Sequence, residues 1–470
     1  MKKKMLLILS TLLFSCNQGS VFSEEIISSS MEDIISSNEI ISVSSSEESN
    51  YFSSEENSFS SSEELSISED NFISDIDNYI QYMMDETEEF IPSWSKEGFK
   101  GKWNYIDGVM LTSLLNMYDV TGNHKYKDFV IDYVNYYINK DGKFMNLYDN
   151  STTGYKDSEL DTICESRILY KLYDLTKDER YLKAINTTYK HIKSHPRNKE
   201  GNFYHKTSYP NQVWLDGLYM AMPFYSQYAM HNLDTKTKVN NEEISLLDDI
   251  LLQYKNVRSN MFDEDKKLYY HGYDATKEIF WADKETGCSS SFWLRAMGWY
   301  MVSLIDVIEI IDEGELKAYL SSLLVEAIEG IMLYQDESKM FYQVIDKGDQ
   351  GINVPGKYYE DETSRYVENY LETSGSSMIA YTLLKGSRLN VLDKKYHQEG
   401  KDIFIAIKDK YFEVNENDYT LNSICITAGL GPEGNEKRDG SFAYYLSERR
   451  SSNDAKGVGP FIMAYSELIR

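Results

Sequence analysis

The sequence predicts an all-α fold, an (α/α)6 barrel made of six helical hairpins. Two observations carry this. A helix–turn–helix pattern returns at a spacing of roughly 50 to 80 residues, set by loop length. Apolar residues recur at helical spacing, while strand-like alternation is rare and brief.

The first hairpin opens at the aromatic cluster Trp103–Tyr105 and runs through GVMLTSLLNMYDV, where Leu111, Leu114, Leu115 and Tyr118 share one face. Thr121-Gly122-Asn123 stops it, Tyr126–Ile138 forms the second helix, and Asp141-Gly142-Lys143-Phe144 turns the chain. The pattern repeats as a Leu160–Leu175 helix, a Lys177-Asp178-Glu179 turn, a Tyr181–Ser194 helix and a Glu200-Gly201-Asn202-Phe203 turn. It starts again at Trp214, at Trp293 and near Tyr370. Helices over Phe72–Phe90 and Gly459–Ile469 are expected to pair as the sixth hairpin and close the ring. An open solenoid is the alternative, but its terminal repeats would need a polar capping face that these segments lack.

Three regions follow. Residues 1–16 read as a secretion signal of lipoprotein type: Lys2–Lys4, a short apolar core Met5–Phe14, then Ser15 and Cys16. Phe14 departs from the lipobox pattern, so plain secretion is the alternative. Residues 17–70 are Ser and Glu repeats with no basic residue between Lys4 and Lys96. Such a stretch cannot bury enough surface to offset its ordering entropy, so a disordered tether is expected. Residues 71–470 are the catalytic domain, and the expected location is secreted or cell-surface.

The chain carries a net charge of −28, of which about −18 falls in residues 71–470. That disfavours nucleic acid, whose backbone contacts require Lys and Arg. Contact with a membrane is expected only through an N-terminal lipid anchor. Beyond Cys16, the cysteines Cys164, Cys288 and Cys425 have no metal-ligand spacing and no even count, so they read as small buried apolar residues, with no metal site.

The chemistry centres on QVWLDGLYMAMPF, Gln212–Phe224, where Asp216 is a lone carboxylate in an apolar and aromatic run. One reading is a helix N-cap. The other is a general acid, because desolvation favours the protonated form of a carboxyl. In the predicted barrel, residues at the starts of inner helices converge on one funnel. These are Trp103 and Tyr105, Asp161, Trp214 and Asp216, Arg295 and Trp299, and Glu372. Aromatic faces suit sugar rings, Arg suits a carboxylate, and paired acids divide into proton donor and partner. Asp161 could equally be a cap, Arg295 a structural ion-pair partner, and Trp299 a piece of the wall.

At these residues the chain resembles the unsaturated glucuronyl and rhamnogalacturonyl hydrolases, specifically glycoside hydrolase family 105. The matching places are Trp103-Asn104-Tyr105; Leu160-Asp161-Thr162-Ile163; His205 and Tyr209-Pro210 leading into Trp214-Leu215-Asp216-Gly217-Leu218-Tyr219-Met220; His271-Gly272-Tyr273-Asp274; and Arg295-Ala296-Met297-Gly298-Trp299. Glu372-Thr373-Ser374-Gly375 and Asp454–Phe461 match as well. The resemblance covers residues 72 to the end.

The resemblance implies the six-hairpin barrel and hydrolysis of oligosaccharides with a 4,5-unsaturated galacturonyl residue at the non-reducing end, as in pectin and rhamnogalacturonan fragments. In that chemistry Asp216 protonates carbon 4 of the enol ether, water adds at carbon 5, and the hemiketal rearranges to release the sugar. Asp161 is implied as the acid's partner, Tyr105, His205, Trp214, His271, Arg295 and Trp299 as substrate-binding residues, and no cofactor is implied. Two alternatives remain: the same chemistry on glycosaminoglycan-type glucuronyl fragments, and a non-catalytic surface glycan-binding protein.

Overall fold

The computed structural model describes residues 74–88, 91–96, 101–416 and 418–470. The expected leader and Ser/Glu-rich tether lie outside these residues. In chain order the helices are α1 (residues 74–85), α2 (Tyr105–Thr121), α3 (His124–Tyr137), α4 (Asp161–Cys164), α5 (Leu169–Thr176), α6 (Glu179–Ser194) and α7 (Leu215–His231). They continue with α8 (Leu246–Met261), α9 (Leu294–Ile310), α10 (Glu315–Ile331), α11 (Thr373–Arg388), α12 (Lys395–Tyr411), α13 (Phe442–Ser447) and α14 (Ala455–Leu468).

The inner helices form a closed ring. α2 packs on the segment continuing α4, α4 on α7, α7 on α9, α9 on α11, α11 on α14, and α14 back on α2. This is the all-α (α/α)6 toroid, and closure excludes the open solenoid. The sixth hairpin is the expected pairing of the chain's two ends: Tyr465 of α14 donates to Asp77 of α1 at 3.3 Å, and Tyr79 of α1 donates to Asn453 at 2.8 Å.

Burial explains which helix goes where. Every residue of α9 from Leu294 to Ile308 is buried, as an inner helix covered on all sides requires. In the outer helix α3 only Tyr126, Val130, Tyr133, Val134 and Tyr137 are buried, one stripe at helical spacing. Turns fall where the sequence marks them: Gly122 ends α2 in the left-handed region at φ 66°, and Asp178 caps α6 by accepting from Arg180 N–H.

One expected helix is broken. Leu160–Leu175 forms α4, then a 3-10 turn over Glu165–Ile168, then α5. The cause is close packing between inner helices. A Cβ on Gly108 of α2 would lie 2.6 Å from the Glu165 Cα, so the two backbones nearly touch. Glu165 is fully buried there and accepts from Asn104 N–H at 2.8 Å.

Cys164, Cys288 and Cys425 are all free and buried, as expected. Burial pushes their thiols up to about 12, 12 and 11, which leaves them unreactive.

Candidate active site

Short backbone ladders tie together the loops ahead of the inner helices. Gln212–Trp214, just before α7, pairs antiparallel with Gly272–Asp274, setting Trp214 opposite Gly272. Single bridges join Glu159 to Lys206, Trp293 to Val344 and Tyr342 to Leu371. The mouth is therefore a belt of linked loops.

A cleft of about 150 Å³ opens at this mouth, and its lining includes Tyr105, Asp161, His205, Lys206, Trp214, Asp216, Arg295 and Trp299. Asp161 and Asp216 are the two carboxylates among its described lining residues. Neither caps its helix. Leu160 and Trp214 occupy the cap positions and make no side-chain cap bond, so both acids stand in first turns with their carboxylates directed elsewhere.

Asp216 is 8% exposed, and its Oδ2 is buried without a hydrogen-bond partner. His271 Nε2 faces that oxygen at 3.3 Å, while Nδ1 meets the Tyr445 hydroxyl at 2.6 Å. Burial raises the Tyr445 phenol well above its usual range, so it keeps its proton and donates to Nδ1. Nε2, like Asp216 Oδ2, is buried without a hydrogen-bond partner among the described residues. His271 is fully buried and behind the acid. It is not among the residues that line the cleft, and its Nε2 lies beside Asp216 instead.

Asp161 is held differently. Lys206 Nζ reaches its Oδ2 at 2.6 Å and also Glu159 Oε2 at 3.2 Å, while His205 Nε2 lies 3.5 Å from Oδ1. The two carboxylates raise the Lys206 ammonium above its ordinary value despite burial, so it stays charged. Burial, then the Lys206 charge, push His205 down to about 3, and it is neutral. Its ring stacks on Trp214 at 4.3 Å, and Tyr209 stacks on the same indole at 5.4 Å.

The floor is built by Trp299, stacked on Tyr219 at 4.3 Å. Pro223 in α7 has no N–H for the Tyr219 carbonyl one turn back, and Arg167 Nη2 takes that carbonyl at 2.7 Å. Arg295 is 2% exposed; Nη1 donates to the Cys425 carbonyl and, at 3.3 Å, to Ser374 Oγ, and Nη2 donates to the Ile426 carbonyl at 3.2 Å. Trp103 and Glu372 leave the predicted funnel set. The Trp103 indole is buried against Ser166 Oγ at 3.1 Å, and Glu372 caps α11 through Gly375 N–H at 2.7 Å.

Lys206 and Arg438 are cleft residues that the helix-start argument did not find. Lys206 directly follows the singled-out His205, but the sequence gives no signal that the two face the same way. Arg438 belongs to a loop well ahead of α14, with no signal either.

A closed helical toroid with a carboxylate-bearing aromatic cleft defines a class, the six-hairpin glycosidases, and comparison with known proteins agrees. The Glycosyl Hydrolase Family 88 profile matches residues 75–470. A family 105 glycoside hydrolase of C. acetobutylicum has a structure with TM-score 0.70 and 36% sequence identity, covering 83% of this chain and 99% of that one. The 24.9 kDa protein in picA locus of Rhizobium radiobacter is 32% identical over 255 residues, 53% of this chain and 98% of its own. The unsaturated glucuronyl hydrolase of Bacillus sp. GL1 shares the fold, with TM-score 0.52 and 13% identity over 78% of this chain and 86% of that one. The chain belongs to the family 88/105 glycosyl hydrolases and is a glycosidase.

Proposed function

We propose that this enzyme hydrolyses oligosaccharides bearing a 4,5-unsaturated galacturonyl residue at the non-reducing end, by hydrating the enol-ether double bond. The observation that carries the reading is the inequality of the two cleft carboxylates. Direct glycosidic hydrolysis uses two working carboxyls, an acid on one side of the bond and a nucleophile or base on the other. Here Asp161 is ion-paired with Lys206 at 2.6 Å, whereas Asp216 faces only the His271 imidazole at 3.3 Å and its Oδ2 accepts no hydrogen bond, which makes Asp216 the better candidate for the acid. Alkene hydration needs a single proton donor.

The steps balance with this chain's groups. The Asp216 carboxyl gives its proton to carbon 4, and the π electrons form the new C–H bond. The cation left at carbon 5 is stabilised by the ring oxygen. Water adds to carbon 5 and returns a proton to Asp216, and the hemiketal opens with loss of the neighbouring sugar. Lys206 holds Asp161 in place to accept a hydrogen bond from a sugar hydroxyl or the water.

Galacturonyl rather than glucuronyl specificity rests on the family 105 motifs. Export to the cell surface rests on the leader pattern alone. The test is loss of the enol-ether absorbance on a panel holding unsaturated galacturonyl-rhamnose, unsaturated chondroitin disaccharide and saturated galacturonyl-rhamnose. Turnover of the first and not the third is expected. Preference for the second would reassign the substrate, and turnover of the saturated compound would overturn the hydration chemistry.

A further inference from the structure

A uronyl substrate brings a carboxylate into the cleft, and the three cations lining it differ in what they already hold. Lys206 is bound to Asp161 and Glu159 at 2.6 and 3.2 Å. Arg295 has both terminal nitrogens on protein oxygens, two of them backbone carbonyls of Cys425 and Ile426. Arg438 differs. Its Nε donates to Tyr444 OH at 3.3 Å, and its two Nη groups have no hydrogen-bond or ion-pair partner among the described residues.

The Arg438 side chain is also pre-placed. Its backbone closes a loop, with Gly431 N–H donating to the Arg438 carbonyl at 2.8 Å, and Trp281 Nε1 pins the Gly431 carbonyl at 3.0 Å. Tyr444 OH, which also accepts from Gly429 N–H at 2.9 Å, fixes the Nε end. A Cβ on Gly429 would lie 1.9 Å from Arg438 Nη2 and 3.1 Å from Trp214 Cη2. The missing side chain at 429 is thus what lets the guanidinium fork lie beside the Trp214 indole. A planar fork with two unspent N–H groups is the geometry that grips a carboxylate in two-pronged fashion.

We propose that Arg438, not Arg295, receives the carboxylate of the unsaturated uronyl residue, while Arg295 ties the C-terminal loop to α9. The proposal rests on the reading above, that the substrate ends in such a residue.

The test is a cycle of two enzymes and two substrates. Wild type and Arg438→Gln are assayed on unsaturated galacturonyl-rhamnose, which carries one carboxylate, and on its methyl ester. Esterification changes the alkene's intrinsic reactivity equally for both enzymes, so that effect cancels. A charge-assisted contact is worth about 10- to 100-fold. Wild type should prefer acid to ester by that factor more than Arg438→Gln does, with the loss mainly in KM. Arg438→Lys, which keeps the charge without the fork, should fall between them and covers the case in which the Gln variant does not fold. An unchanged acid-to-ester ratio in both Arg438 variants would overturn the assignment, as would collapse of that ratio in Arg295→Lys alone. Wild type that acts on no unsaturated uronide would instead overturn the underlying reading and this proposal with it.

Discussion

Acidification should destabilise this protein through a buried histidine relay, and one substitution should remove a defined share of the effect. Tyr155 OH lies 3.0 Å from His191 Nδ1, His191 Nε2 lies 3.0 Å from His195 Nδ1, and His195 Nε2 lies 2.9 Å from the Tyr204 carbonyl. A carbonyl only accepts, so His195 Nε2 carries a proton and its Nδ1 accepts from His191 Nε2–H. His191 Nδ1 then accepts from Tyr155, whose phenol burial keeps protonated. The chain is complete only with both rings neutral. Burial, then the neighbouring His195, push His191 from 6.5 down to about 3. A folded-state value below the unfolded one gives stability that is full above pH 6.5 and is lost as pH falls toward 3. At pH 5 the unfolded chain gains a proton that folded His191 refuses, a loss of roughly 2 kcal/mol at about 1.4 kcal/mol per unit. His205, also held near 3, adds a similar loss. In His191→Gln the amide can accept from Tyr155 and donate to His195 without titrating. Urea unfolding at pH 7 and pH 5 should show that this variant loses about 2 kcal/mol less than wild type on acidification. Equal losses in the two proteins would refute the relay. The relay also anchors the backbone immediately before His205 and Lys206, so its failure should reach the active site.

Asp216→Asn should lower kcat by about 10²- to 10⁴-fold with unchanged circular dichroism and melting temperature; retention of more than about a tenth of the activity would remove Asp216 from the acid's role. Gly108→Ala should cost about 1–3 kcal/mol in urea unfolding, because its Cβ would press on the Glu165 backbone at 2.6 Å; a neutral result would show that α2 and the Glu165 turn can part. Deleting residues 1–70 should leave the melting temperature unchanged. Deleting residues 1–88 should lower it by about 5 °C or more, since α1 buries Ile76, Tyr79, Ile80, Met83 and Met84; a drop in the shorter truncation would place core residues before residue 71.

The ring was legible because inner helices are apolar all round and the turns between helices carry Gly, Asn and Asp. Such signals are local, and they placed Asp161 and Asp216 in first turns. The break at Glu165 was not legible, because it depends on Gly108 in another helix. Nor was the burial of His271, whose Nδ1 meets the Tyr445 hydroxyl far along the chain. Lys206 was missed for a geometric reason: neighbours in extended chain normally point to opposite sides. Here Leu160 N–H binds the His205 carbonyl at 3.1 Å, and Lys206 bridges to Glu159, so both His205 and Lys206 reach the cleft. Arg438 lies on a loop that no helix start announces.

An acidic protein whose proposed substrate is an acidic sugar needs its cations where that substrate sits. The net charge of −28 gives no long-range attraction for a uronate, and that field fades over a Debye length of about 8–10 Å. Within the cleft the balance reverses: Lys206, Arg295 and Arg438 face two carboxylates, one of which is already paired with Lys206. Arg295 spends its terminal donors on the loop that carries Cys425 and Ile426, and Arg438 spends only Nε. On the proposed assignment, affinity for the substrate carboxylate comes from one short-range fork rather than from the protein's field. Raising salt from low to physiological levels should then leave kcat/KM for the acid substrate nearly unchanged or slightly higher, as global repulsion is screened while the buried contact is not. A steep fall with salt would mean that the cleft draws substrate electrostatically from a distance, and would place its carboxylate on exposed charges instead of on Arg438.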